Sequence, residues 1–169
     1  MSTIAKSIAD KGITIGGSAY ADAFANPATT GSLGGYHQIF DHGDVVSWEQ
    51  ASGRSAPADW GFDLEQSFYN RFVRLRPDRF VCTWALDPPN PDSGGTNLSQ
   101  IKISRHYLIV SQASDGQQTS FLAIGFADLY MLRFPDGAWR ILLWKDRRDP
   151  DANSADKVTL GFQRMDTAP

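Results

Sequence analysis

The stretch FLAIGFADLYMLRFPDGAWRILLWKDRR, residues 121–148, constrains the fold more than any other part of the chain. Its two long apolar runs meet at Pro135-Asp136-Gly137, which are residues typical of a tight turn. The segment therefore predicts a long β-hairpin. One acid, Asp128, lies inside the first run, and a second, Asp146, closes the other run just after Trp144. A carboxylate among large apolar side chains costs folding free energy unless it is paired or has a function.

The hairpin belongs to a longer series of predicted strands. Turn and breaker residues separate four such segments, at 79–87, 98–112, 117–134 and 138–147. Four consecutive strands with short connections predict an antiparallel meander and not βαβ units. Just before them, residues 59–76 predict a helix, because an apolar stripe repeats at helical spacing. That stripe consists of Leu64, Phe68, Phe72 and Leu75.

The elements at the two ends of the chain are less regular. Short helices are predicted at 2–11 and at 18–26, the second ending at Pro27, and a strand is predicted at 44–48. Residues 158–162 are predicted to dock onto the sheet. The sequence thus divides into an N-terminal segment (1–17), a single domain (18–148) and a polar C-terminal tail (149–169).

This order of elements resembles that of the NTF2-like superfamily, which includes SnoaL-like and ketosteroid-isomerase-like proteins. Residues 40–48, FDHGDVVSW, are similar to the family's strand after the early helices, and residues 136–146, DGAWRILLWKD, to its closing strand. The resemblance covers residues 18–148. It implies an α+β fold in which a curved antiparallel sheet packs on N-terminal helices and forms a cone with an apolar cavity.

The same resemblance implies a range of activities. Members include isomerases, cyclases, dehydratases and epoxide hydrolases as well as non-catalytic binding or assembly modules, so the fold by itself does not choose among them. Many members form dimers through the outer face of the sheet, and a homodimer is therefore expected here.

Composition limits the classes of partner and cofactor that can be expected. Sixteen Lys and Arg residues against 19 Asp and Glu residues give a net charge of −3, and their scatter argues against nucleic acid or an anionic membrane as the main partner. The single cysteine, Cys82, excludes an intramolecular disulfide and a cysteine-cluster metal site. The glycine-rich stretches lack a phosphate-loop pattern, so no nucleotide cofactor is expected. The start of the chain lacks the apolar core of a secretory signal, which predicts a cytoplasmic protein.

Asp128 is the leading candidate for an acid or base. Strand alternation places it on one face with Phe126 and Tyr130. A carboxyl group there would have a raised pKa unless it is paired, and a raised pKa suits proton transfer. The alternative is a structural ion pair with Arg105 or Arg140 on a neighbouring strand.

Two further candidates for acid–base chemistry are His106 and Glu49. His106 lies in the middle of a predicted strand, where the alternative is a structural histidine. Glu49 is the nearest positional match to the general base of ketosteroid-isomerase-like members, which follows the strand predicted at 44–48. Tyr20 falls roughly where those members place an oxyanion-donating tyrosine.

The remaining candidates would line the pocket. They are Tyr20, Trp48, Trp84, Tyr130, Trp144 and Asp146. Asp146 is expected at the rim of the cavity, or simply solvated at a strand end beside Lys145. No metal is expected, because His37 and His42 do not have the spacing of a recognised ligand motif.

These observations predict a protein that binds a small apolar molecule in a conical pocket. The chemistry they favour is cofactor-free isomerisation or dehydration by acid–base groups. The alternative is a non-catalytic binding or assembly module that dimerises through its sheet, in which Asp128 is a structural pair.

Overall fold

The computed structural model describes residues 20–75, 79–94, 99–112, 119–152 and 158–167. In chain order its elements are α1 (Pro27–Thr30), a 3-10 turn (Gly31–Leu33), β1 (His37–Ile39), α2 (His42–Ser52), α3 (Phe62–Leu75), β2 (Arg79–Leu86), β3 (Ser93–Gly94), β4 (Gln100–Gln112), β5 (Thr119–Arg133), β6 (Trp139–Arg147) and α4 (Leu160–Thr167). No helix in these ranges is both long and apolar enough to cross a bilayer.

The six strands form one sheet in the order β1-β6-β5-β4-β2, with β3 paired to β4. Strands β2, β4, β5 and β6 form the predicted antiparallel meander. Strand β1 runs parallel to β6, so the sheet is mixed and not wholly antiparallel as predicted. Register shifts at Ile109/Val110 and Tyr130/Met131 mark irregularities of the kind that bend a sheet. The fold is α+β with a curved, unclosed sheet, in agreement with an NTF2-like cone.

Helix α3 confirms the predicted helix at 59–76, but the residues that it buries differ from the predicted apolar stripe. Its buried residues are Glu65, Phe68 and Phe72, whereas Leu75 is 62% exposed. The spacing i, i+3, i+7 is still that of one helical face. An acid therefore occupies a position on the buried face, where the sequence predicted only apolar side chains.

The predicted strand at 44–48 is wrong, because these residues lie within helix α2. The Asp41 carboxylate caps the helix by accepting bonds from the backbone N–H of Gly43 (2.8 Å) and Asp44 (3.4 Å). At the other end Gly53 adopts a left-handed conformation, with φ of 66°, and terminates the helix. Asp44 and Trp48 lie one turn apart and are both buried, so the segment buries one side as a helix.

Pro27 begins a helix instead of ending one. The Asn26 side chain accepts a bond from the Ala28 backbone N–H at 2.9 Å, and a proline at the first helical position loses no intrahelical bond. In the described part of the predicted helix 18–26, residues 20–21 are helical and a turn follows. Phe24 then forms an isolated bridge to Ile141. The helix predicted at 2–11 lies outside the described residues.

Residues 158–167 pack against the core. The Ile124 backbone N–H donates to the Val158 carbonyl at 3.0 Å, which confirms the predicted docking of this segment on the sheet. Helix α4 follows and lies against α2, α3 and β5. Its buried residues include Leu160, Arg164 and Met165, so the C-terminal stretch contributes both apolar and charged groups to the interior.

The capping role of Asp41 gives a first prediction. Asp41→Ala should lower the free energy of unfolding by about 1–2 kcal/mol, because the backbone N–H groups of Gly43 and Asp44 lose their acceptor, as does the backbone N–H of Arg148 (3.1 Å). Asp41→Asn keeps a side-chain oxygen and should lose clearly less. Urea denaturation followed by circular dichroism measures both. Equal losses in the two variants would contradict the capping role.

Candidate functional site

The two acids of the hairpin lie on opposite faces of the sheet. Ala127 and Leu129 of β5 join the hydrophobic core, so Asp128 between them faces the other way. The pairing of β5 with β6 sets Ala127 opposite Asp146 and Asp128 opposite Lys145. Asp146 therefore points inward and Asp128 outward, which reverses the arrangement predicted from the sequence.

Asp146 is buried, so the alternative prediction that it is solvated at a strand end is wrong. Its exposed fraction is 1%. The Tyr107 hydroxyl (3.0 Å) and the Trp144 indole N–H (2.9 Å) both donate to its Oδ1. The Gln38 side-chain amide donates to its Oδ2 at 2.7 Å. Each oxygen of this carboxylate is thus held by side chains from other strands or from its own.

A second buried acid shares a guanidinium with Asp146. Arg164 of α4 is fully buried and donates through Nε and one terminal nitrogen to both oxygens of Glu65, each at 2.8 Å. Its other terminal nitrogen lies 3.4 Å from Asp146 Oδ2. The guanidinium also lies over the Trp144 ring, 4.4 Å from its centroid. A bidentate pair of this geometry binds its charge more tightly than the single longer contact does.

Glu65 has two further donors. The Trp60 indole N–H donates to Oε2 at 2.8 Å, and the Tyr20 hydroxyl donates to Oε1 at 2.5 Å. Tyr20 is fixed in turn by stacking on Tyr69, with ring centroids 4.0 Å apart. We refer to the connected set as the interior network. It consists of Tyr20, Tyr36, Gln38, Trp60, Glu65, Tyr107, Trp144, Asp146 and Arg164. Tyr36 joins it through its hydroxyl, which donates to the Gln38 side-chain oxygen at 2.7 Å.

The interior network brings two carboxyl groups together with one guanidinium. Burial raises the pKa of Asp146 to about 6, despite the opposing effects of Arg164 and of the bonds from Trp144 and Tyr107. The nearby Asp44 carboxylate adds to the increase. The interior therefore holds a carboxyl group whose proton affinity is higher than that of an exposed aspartate.

An aromatic wall adjoins Asp146. It consists of Trp84, Tyr107 and Trp144, and the Trp84 ring lies 5.8 Å from that of Tyr107 and 6.0 Å from that of Trp144. The Trp84 indole N–H is buried without a well-aligned acceptor, and the nearby Cys82 sulfur is at best a weak one. Trp84 and Ile103, which pack against the core, are only half-buried, so this side of the sheet retains accessible surface.

Asp128 has the neighbours of a structural ion pair. Burial alone would raise its pKa, but the Ser104 hydroxyl (2.7 Å), Arg147 (3.4 Å) and Lys102 (3.5 Å) together hold the pKa of this carboxyl below its usual value. Asp128 is paired, so the condition under which its pKa was predicted to rise is not met. Its basic partners also differ from those predicted.

The predicted partners of Asp128 are engaged elsewhere. Arg105 forms an ion pair with Asp92, with a shortest distance of 2.5 Å, and Arg140 pairs with Asp136 at 2.6 Å. Both acids lie on the loops at the strand ends, within easier reach of these long side chains.

The other predicted acid–base residues lie away from Asp146. His106 projects from the outer face and contacts Asp149, with Nε2 and Oδ2 2.9 Å apart. Glu49 lies on α2, and its carboxylate accepts a bond from the Ala56 backbone N–H at 2.8 Å. The positional match of Glu49 to a general base depended on a strand at 44–48, and that strand is absent because these residues are helical.

The predicted pocket residues divide into two groups. Tyr20 and Trp144 belong to the interior network, and Trp84 lies beside Trp144 on the inner side of the sheet. Tyr130 is 39% exposed on the outer face beside Lys102, and Trp48 is buried on α2 beneath Arg54. Among the described residues no three His, Cys, Asp or Glu side chains are grouped as metal ligands.

Sequence reasoning missed Glu65, Arg164 and Tyr107. Two of them had a signal. Glu65 shares the helical spacing of Phe68 and Phe72, and Arg164 stands one turn after Leu160 and beside Met165. Charged residues at positions predicted to be buried are candidates for an internal pair.

Comparison with known proteins supports the fold but does not identify a function. No family model matches this chain, and no curated protein matches it. Rv3472(D26N), a protein of unknown function from Mycobacterium tuberculosis, has a similar structure, with a TM-score of 0.50, 14% identity, and coverage of 90% of this chain and 76% of that one. A protein from Catenulispora acidiphila in complex with S-DNPA gives a TM-score of 0.45, 15% identity and coverage of 75% of each chain. ActVI-ORFA from Streptomyces coelicolor gives 0.41, 13% identity, and coverage of 50% of this chain and 61% of its own.

The close approach of α4 to Asp146 gives a second prediction. A Cβ atom at Gly161 would lie 2.7 Å from Asp146 Oδ2, so Gly161→Ala should destabilise the protein by about 1–3 kcal/mol. At an open helix position the same change would stabilise it by about 1 kcal/mol. Asp166→Ala, an exposed change in the same helix, is the control and should be near neutral. Thermal unfolding compares the three proteins. A variant at Gly161 as stable as the wild type would refute the close contact.

The raised pKa of Asp146 gives a third prediction. Folding increases the proton affinity of this carboxyl, so the free energy of unfolding should fall as pH rises from about 4 to about 6. The contribution of Asp146 is at most about 3 kcal/mol. Asp146→Asn removes the titration, and the stability of the wild type relative to this variant should therefore decrease across that window. Urea denaturation at a series of pH values measures the difference. Parallel profiles for the two proteins would contradict the prediction.

Proposed function

We propose that the protein binds a small, neutral, largely apolar molecule at the inner face of the sheet, and that Asp146 exchanges a proton with it. The observation that carries this proposal is a buried carboxyl group with a pKa of about 6 beside an aromatic wall. A group whose pKa lies near the working pH is suited to act as a general acid or base.

The aromatic wall supports the binding of a flat or apolar molecule. Trp84 and Trp144 present large apolar surfaces at a steep angle of 61° to each other. Aromatic side chains bind planar ligands through stacked and edge-to-face contacts. The half-buried state of Trp84 and Ile103 leaves surface that a ligand would cover.

The charges of the interior network favour a neutral ligand over an anionic one. When both carboxyl groups are ionised, Glu65 and Asp146 carry one more negative charge than Arg164 neutralises. An anionic ligand beside Asp146 would add repulsion in a region of low dielectric constant.

The chemistry we propose is proton transfer without a cofactor. Asp146 as carboxylate takes a proton from an acidic C–H of the ligand, and the resulting acid returns it to another atom of the same molecule. Tyr107 and Trp144 hold Oδ1, so the carboxyl group keeps one orientation. Isomerisation and dehydration both consist of such steps.

The probe 2-tetralone tests binding and proton transfer together, because it is a neutral aromatic ketone with acidic C–H bonds. We expect saturable quenching of tryptophan fluorescence by the ketone. We also expect the protein to accelerate uptake of deuterium into the ketone in D2O, followed by NMR. Trp84→Ala should weaken binding about tenfold, through loss of about 1.4 kcal/mol of ring contact. Asp146→Asn should abolish the acceleration of exchange.

Tyr130→Ala is the matched control, since it removes an aromatic ring from the outer face. It should leave both measurements unchanged. Absence of saturable binding by the wild type, or equal binding by the Trp84 and Tyr130 variants, would refute the ligand site. Binding with no difference in exchange between the wild type and Asp146→Asn would refute the proton transfer alone.

A second candidate is a non-catalytic module that dimerises through the outer face of the sheet. The observation that favours it is the pairing of Asp128 with Arg147 and Lys102, together with the exposed ring of Tyr130. The mutual pairing of Glu65 and Arg164 is likewise compatible with a structural interior. A protein that fails to bind the ketone and is a dimer by multi-angle light scattering would favour this candidate.

A further inference from the structure

The geometry of the interior network points to a role for Glu65 in the proposed function. This inference rests on that function. We propose that Glu65 is a positioning residue. By holding the Arg164 guanidinium in a bidentate pair, it keeps that charge from pairing fully with Asp146. Asp146 is thereby left with one long contact to the guanidinium, and its shorter bonds come from neutral donors.

The first step concerns how Arg164 divides its bonds. Two nitrogens of the guanidinium donate to the two oxygens of Glu65 at 2.8 Å, in the planar arrangement that suits both groups. A single nitrogen reaches Asp146, at 3.4 Å. Arg164 cannot shorten that contact without giving up geometry at Glu65. The positive charge is therefore committed mainly to one of the two acids.

The second step concerns what fixes Glu65. The Trp60 indole N–H (2.8 Å) and the Tyr20 hydroxyl (2.5 Å) donate to different oxygens of its carboxylate. Its side chain is 1% exposed, so no bulk water competes for these bonds. Four donors surround the Glu65 carboxylate, and its two oxygens hold the Arg164 guanidinium in place.

The third step concerns the groups that act directly on Asp146. They are Asp44 of α2, Gln38 of β1, Tyr107 of β4, Trp144 of β6 and Arg164 of α4. Tyr36, just before β1, reaches Asp146 through Gln38, whose side-chain oxygen accepts a bond from the Tyr36 hydroxyl at 2.7 Å. Among them Arg164 has the largest effect that favours the carboxylate. Glu65 has no bond to Asp146 in the described structure, and its influence runs through the shared guanidinium.

Glu65→Gln tests this proposal, because it removes the negative charge that holds Arg164 and keeps the size of the side chain. The guanidinium should then pair with Asp146. We expect the titration midpoint of Asp146 to fall by at least about one pH unit, a tenfold lower proton affinity. Carboxyl 13C NMR follows the titration, and the spectrum of Asp146→Asn assigns the signal.

Two comparisons separate this role from a merely structural one. Asp63→Asn removes an exposed negative charge from the same helix and should leave the midpoint unchanged. Arg164→Gln should raise the titration midpoint of Asp146. In this Arg164→Gln background, adding Glu65→Gln should shift the midpoint much less than Glu65→Gln does when Arg164 is present. That loss of effect is the signature of action through the guanidinium.

A second variant covers the case in which Glu65→Gln does not fold. Glu65→Asp keeps the charge on a shorter side chain that cannot reach both nitrogens, and it should lower the midpoint in the same direction by a smaller amount. An unchanged midpoint in a folded Glu65 variant, or an equal shift with and without Arg164, would overturn the proposal. Because the titration needs no ligand, this result is independent of whether 2-tetralone binds or exchanges.

Discussion

The buried guanidinium of Arg164 is the interaction on which the interior of this protein depends. It joins three elements: α4, which carries it, α3, whose Glu65 is 99 positions away, and β6, whose Asp146 is 18 positions away. Removing a charged group from water costs several kcal/mol, and only complete pairing offsets that cost. The bidentate contact with Glu65 provides such pairing. Loss of either partner would leave a charge stranded in the core, so these elements are held together as a unit.

The ratio of charged groups in this cluster explains why the proton affinity of Asp146 is raised. One guanidinium serves two carboxyl groups, and the geometry favours Glu65, since two short bonds outweigh one long contact. Asp146 receives neutral donors instead, from Tyr107 and Trp144. These bonds orient the group but do not fully replace water around a full charge, so burial dominates and the proton affinity rises. The absence of a Cβ at Gly161 then lets α4 close over the same carboxylate.

The sequence predicted the strands of the meander to within about two residues, because strand periodicity and turn chemistry are local. It failed where local signals competed. Val45 and Val46 suggested a strand, but the Asp41 cap and the helical spacing of buried Asp44 and Trp48 decided for a helix. The interior network could not be predicted from local sequence patterns, for a different reason. Glu65 and Arg164 are separated by 99 positions, and a charged residue in a sequence does not reveal a partner at that distance.

The placement of Asp128 and Asp146 on opposite faces of the sheet shows what the alternation of side chains along a strand can predict and what it cannot. Strand periodicity established which side chains share a face, but both faces of β5 are largely apolar, so composition did not reveal which one meets the core. The small residues Ala123, Gly125 and Ala127 lie on the inner face, and a Cβ at Gly125 would lie 3.2 Å from Thr159, just before α4. A one-residue difference in parity thus separates an acid held ionised by Arg147 and Lys102 from an acid whose proton affinity is raised by burial. In this sheet the run of small residues at every second position of β5 is therefore the local sign of the inner face, because hydrophobicity alone fits both faces.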